Sequence, residues 1–80
     1  MNKHEVNKWF NADIIIIFKQ PKKENLWGII MSYNAEFLNN ATGVYVLPNP
    51  KQQEFENTRD KSLFVPVAYD DILKIEPQKK

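Results

Sequence analysis

The sequence predicts a mainly β protein, a small five-stranded barrel with a short N-terminal helix. Three features lead there. Asp13-Ile14-Ile15-Ile16-Ile17-Phe18-Lys19 carries four β-branched residues in a row, which disfavours helix and suits a pleated strand with apolar surroundings on both faces. A second apolar stretch, Leu26 to Tyr33, follows across a polar turn in which Pro21 ends the pairing, so the two form a hairpin. Gly28 inside that second strand predicts a bulge or a sharp bend, the usual device for curling a sheet.

The remaining elements are read in chain order. Asn2 and Glu5 have the spacing of a capping box, and Val6, Trp9 and Phe10 fall on one helical face. This predicts a helix from about Lys3 to Phe10, with Trp9 and Phe10 forming either a lid over an open barrel end or a partner-binding face. Asn34 to Thr42 is either a helical turn around Phe37 and Leu38 or a continuation of the strand. Gly43 opens a third strand, Val44 to Leu47. Pro48 to Asp60 is polar and proline-led and reads as a long loop. Lys61 to Ala68 reads as a fourth strand that Pro66 confines to an edge. Tyr69-Asp70-Asp71 turns into a last strand, Ile72 to Ile75. Residues 1–77 are then one domain and residues 78–80 a frayed tail.

Composition narrows the function. Eighty residues hold one small core, so stability is modest or helped by association with further copies, and a homo-oligomer is expected. With no cysteine there is no disulfide framework, thiolate metal site or cysteine nucleophile, which suits a reducing compartment. No stretch approaches the ~20 apolar residues of a membrane span, and the start has no apolar signal core. The expected location is cytoplasmic, with no membrane partner. A net charge of +1 lacks the basic excess of a protein that grips nucleic acid mainly through phosphates, so any such surface must be local.

Catalytic groupings are not evident. The single histidine, His4, lies on the terminal helix and has no partner of fixed position, and there is no Cys/His cluster for zinc. Two glycines, Gly28 and Gly43, cannot make a phosphate-cradling loop. Asp70-Asp71 is the one adjacent acidic pair; it reads as a turn and capping feature rather than a cation site. Glu54 and Glu56 read as solvated. The expectation is a non-enzymatic protein without cofactor or metal.

Two surfaces remain. Lys19, Lys22 and Lys23 cluster around Pro21 and form a small positive patch if the tail, with Lys79 and Lys80, folds back beside the hairpin; otherwise they protect a sheet edge. In the second strand Trp27, Ile29, Met31 and Tyr33 alternate with Leu26, Gly28, Ile30 and Ser32. Both sets are largely apolar, so the outer one is covered by the helix or by another molecule. Trp27, Met31, Tyr33 and, on the third strand, Tyr45 are the candidate partner-binding residues, since Trp and Tyr are frequent binding anchors.

The helix leading into Ile14-Ile15-Ile16-Ile17, Gly28 inside the second strand, and the ending Phe64-Val65-Pro66-Val67-Ala68-Tyr69-Asp70-Asp71-Ile72-Leu73-Lys74-Ile75 together resemble the Sm-like fold and its SH3-like relatives. The resemblance implies a barrel closed through a one-turn 3₁₀ link, and it points to single-stranded RNA. In the stretch that corresponds to the family's base pocket, Asn34-Ala35-Glu36-Phe37-Leu38-Asn39, the motif is offset and Asn34 replaces the acid. Val67-Ala68 stands near the family's Arg-Gly step.

The leading reading is a protein–protein interaction module, such as an adaptor or a small inhibitor of the kind phages and mobile elements carry. The alternative is an Sm-like oligomer that binds RNA or another single strand through Tyr33 and Lys19, Lys22 and Lys23. A third is capture of a nucleotide-like ligand at a subunit interface.

Overall fold

A computed structural model describes residues 1–30 and 43–78. Met31, Tyr33, the Asn34–Thr42 segment, Lys79 and Lys80 lie outside the described residues. The described residues form one antiparallel sheet of five strands, with two short helices. In order they are α1 (Lys3–Asn7), β1 (Asp13–Phe18), β2 (Leu26–Ile30), β3 (Gly43–Pro48), α2 (Gln52–Thr58), β4 (Val65–Ala68) and β5 (Ile72–Pro77). Single 3₁₀ turns at Asn49–Lys51, Lys61–Leu63 and Tyr69–Asp71 link the last elements. The strand order is β4-β3-β2-β1-β5. Among the described residues no ladder joins β4 to β5.

The capping box at α1 is present as the sequence predicts. The Glu5 backbone N–H donates to Asn2 Oδ1 at 2.9 Å, and the Asn2 N–H donates to Glu5 Oε1 at 3.3 Å. The helix is shorter than expected, ending at Asn7, with Asn11 in a left-handed conformation (φ 62°) beyond it. Asn11 N–H donates to the Ile30 carbonyl at 2.6 Å and Phe10 bridges Ile30, so the segment docks on the end of β2. Val6 is fully buried, while Trp9 and Phe10 pack half-buried against the main core.

Strand alternation sorts the side chains onto two faces. Ile14, Ile16 and Phe18 of β1, Ile30 of β2, Val44 and Val46 of β3, Val67 of β4 and Ile72 and Ile75 of β5 are buried with Val6 and Tyr69 in one core. Strand register then places Ile15 and Ile17 on the opposite face, beside Trp27 and Ile29.

That opposite face carries a second core, and here the structure corrects the sequence reading. Residues 48–60 are not a long loop: they hold a 3₁₀ turn and α2, which lies over β2 and β3. Phe55 of α2 is buried with Leu47 and Phe64, its ring meeting Phe64 edge-on at 5.1 Å, and Ile29, Tyr45 and Leu63 pack around them. A seven-residue helix without a side-chain N-cap bond is too short to hold in water alone, so packing of Phe55 supports it. The expected fourth strand is likewise shorter. Lys61–Leu63 is a 3₁₀ turn capped by Asp60, and β4 begins at Val65. Pro66 stands on an edge strand, as predicted.

Two further expectations change. The β1–β2 register passes through Gly28 without a shift; the irregularity lies between Ile17 and Phe18, opposite β5. Gly28 instead allows close approach. A Cβ there would stand 2.4 Å from the Leu47 carbonyl oxygen and 2.9 Å from Val46 Cγ1. Gln78, placed by the sequence reading in the tail, is tied to the sheet. Gln78 Nε2 donates to Ile14 O at 2.8 Å and to Gly28 O at 3.2 Å, and Asn49 Nδ2 donates to Gln78 Oε1 at 2.9 Å.

Candidate functional site

The outer face of the sheet is only half covered. Over β2 and β3, α2 takes Ile29, Tyr45 and Leu47 out of water to differing degrees. Over β1 and the start of β2 no helix lies among the described elements. Trp27 is 46% exposed there, directly across from Ile15 in the ladder, and Ile15 and Ile17 are half-buried. On the far side β5 borders this strip with Glu76 opposite Ile15 and Lys74 opposite Ile17, the two charges 3.6 Å apart. The strip is thus apolar along β1 and β2 and charged along its β5 border.

Of the four predicted partner-binding residues, the two described ones, Trp27 and Tyr45, separate. Trp27 is exposed on this strip. Tyr45 shares the outer face but packs against the second core beside Leu47 and Phe55. Met31 and Tyr33 lie outside the described residues.

The lysine cluster is described in part. Lys19, Lys22 and Lys23 are exposed around the β1–β2 turn, and Lys23 Nζ sits 4.2 Å from the centre of the Phe18 ring. Strand β5 runs antiparallel to β1, so Gln78 stands at the Asp13 end, its N–H donating to Asp13 O. That end is about 17 Å from the turn, counting five residues of strand. Lys79 and Lys80, the other half of the expected joint patch, lie outside the described residues.

Asp70 and Asp71 are exposed on the 3₁₀ turn between β4 and β5, where the Asp71 carbonyl accepts from Lys19 N–H at 2.9 Å. Among the described residues no group of three metal-ligating side chains occurs. Glu54 and Glu56 are exposed on α2 rather than in a loop. Asp60 is held below the usual carboxylate range by the Ser62 hydroxyl and backbone N–H that it accepts from at 2.7 and 2.9 Å. Burial pushes the Tyr69 phenol up. Both shifts belong to turns that shape the fold.

Sequence reasoning missed Arg59. It stands at the end of α2 in a left-handed conformation (φ 56°, ψ 30°), with its guanidinium 5.5 Å from the centre of the Phe55 ring. It borders an open pocket of about 440 Å³ lined by Ile29, Leu47, Gln52, Phe55, Glu56 and Arg59. The signal available was the chain's only arginine, four residues after an aromatic in a proline-led segment. No helix among the described residues is long and apolar enough to cross a membrane. Comparison with protein-family models, curated proteins and solved structures yields no match for this chain.

Proposed function

We propose that the chain is a non-enzymatic protein-binding module whose docking surface centres on Trp27. The observation that carries this reading is the half-covered outer face. Helix α2 covers β2–β3, yet Trp27 stays 46% exposed beside Ile15 and Ile17. A tryptophan flanked by isoleucines at the open half of a sheet face is a binding anchor in search of a cover. The test is affinity capture with the full chain and with Trp27→Ala, followed by mass spectrometry. A protein retained by the first and released by the second is expected; identical sets would contradict the proposal.

A second reading keeps support from topology. Strand order β4-β3-β2-β1-β5, with a one-turn link from β4 to β5, is what an Sm-like or SH3-like barrel requires, and both edge strands expose apolar residues, Val65 at 38% and Leu73 at 57%. Self-association through such edges is part of the proposal, and a cytoplasmic setting suits it. Binding of single strands is ranked second because the basic turn alone offers few phosphate contacts. Light scattering with absorbance at 260 nm on the purified protein checks both points. An oligomer free of nucleic acid is expected, with added single strands bound only at about 10⁻⁴–10⁻⁶ M at physiological salt. A strict monomer at tens of micromolar sinks self-association, and tight, salt-resistant RNA binding reverses the ranking.

A further inference from the structure

We infer that the pocket between α2 and the outer face of β2–β3 receives a short segment of a partner protein that carries an apolar side chain next to a carboxylate, with Arg59 as the carboxylate's anchor. The inference rests on the reading that a protein docks beside Trp27, and it names the chemistry of that partner.

Helix spacing builds one wall. Gln52, Phe55 and Glu56 fall at i, i+3 and i+4 of α2 and, with Arg59 just beyond its end, line one pocket together with Ile29 and Leu47. Its volume of about 440 Å³ suits a single large side chain and some of its backbone. Leu47 is buried beneath the floor and Ile29 is its accessible part, so an incoming apolar group rests on Ile29 while a charged neighbour stays at the polar lip.

Arg59 is not explained by the backbone. The residue after a helix in the left-handed conformation is usually glycine, because a Cβ there is unfavourable. The bond that closes α2, Arg59 N–H donating to Phe55 O at 2.8 Å, would be made by glycine as well. The arginine side chain is thus not needed for that bond and is available to the pocket. Its guanidinium lies over the Phe55 ring, which holds the planar fork at the pocket. Among the described residues it pairs with no carboxylate. An arginine so placed is suited to a bidentate carboxylate. Glu56 shares the lining, so the incoming acid must approach from the Arg59 side while its apolar neighbour covers the floor. Ile29 is two positions from Trp27 on the same face, about 7 Å along the strand, so one extended segment spans both.

The experiment selects a random dodecapeptide library displayed on phage against the immobilised full chain. Enriched peptides are then measured by fluorescence anisotropy. The expected result is enrichment of Asp or Glu within two positions of Leu, Ile, Phe or Trp. Affinity should fall at least tenfold when that acid becomes its amide, and equally for Arg59→Gly. Glycine relieves the left-handed backbone and loses the guanidinium's contact with Phe55, two effects of similar size and opposite sign, so the melting temperature of Arg59→Gly should stay close to the parent's, which separates lost recognition from lost fold. Arg59→Lys should recover only part of the affinity. Peptides with no acidic preference, affinity unchanged in Arg59→Gly, or no enrichment at all would overturn the inference. Peptides weakened by Trp27→Ala but indifferent to Arg59→Gly would overturn it while leaving the Trp27 reading standing.

Discussion

Phe55→Ala is expected to destabilise the protein by about 3–5 kcal/mol, the range for deleting a buried phenylalanine. Phe55 is 1% exposed and meets Phe64 and Leu47 in the second core. The substitution removes the one buried residue of α2, so the loss extends beyond a cavity. A seven-residue helix does not persist without its anchor. Ile29, Tyr45 and Leu47 would then be uncovered together. Domains of this length are stable by roughly 4–12 kcal/mol in total, so the variant should be close to unfolding at room temperature. Urea denaturation followed by far-UV circular dichroism measures it. A midpoint near that of the parent would mean that α2 is not held as described.

Gly28→Ala is expected to cost about 3 kcal/mol, the upper end of what overpacking imposes. The added methyl would stand 2.4 Å from the Leu47 carbonyl oxygen, which belongs to the backbone of β3 and cannot rotate away. Relief requires parting β2 from β3 where Gly28 faces Pro48 and Ile29 faces Leu47. Because Leu47 is also the floor on which Phe55 rests, the strain passes into the second core. The same denaturation experiment reads it. An unchanged midpoint would show that the strands separate freely at this point.

Much of the sheet was legible because its signals are local. The capping pair Asn2 and Glu5, the run Ile14 to Ile17 and the proline that keeps β4 at an edge each act within a few residues. The segment that becomes α2 gave no such signal. Gln52 to Thr58 holds a single apolar residue, Phe55, so no apolar stripe marks a helix; its stability comes from a sheet that the local sequence does not mention. The bulge expected at Gly28 is absent for a related reason. A glycine in a strand fits a bulge or a close approach equally well, and only the register of β3 decides.

The candidate site was half legible in the same way. Alternation in β2 showed two apolar faces and raised the question of what covers the outer one. Trp27 came out of that pattern. That α2 covers Ile29 and Leu47 but stops short of Trp27 depends on where a short helix lands, which the chain's periodicity does not carry. Arg59 was hidden because its significance lies in a left-handed backbone and an aromatic neighbour, neither of which is a motif.

The central claim, that Trp27 serves binding and not folding, is tested most directly by measuring thermal stability and partner affinity on one preparation of Trp27→Ala. Trp27 is nearly half exposed, so truncation should leave the melting temperature close to the parent's, while affinity for the captured protein falls by about 2 kcal/mol or more, roughly thirtyfold. A melting temperature that collapses would return Trp27 to the structural framework, and a stable variant with undiminished affinity would place the docking surface elsewhere.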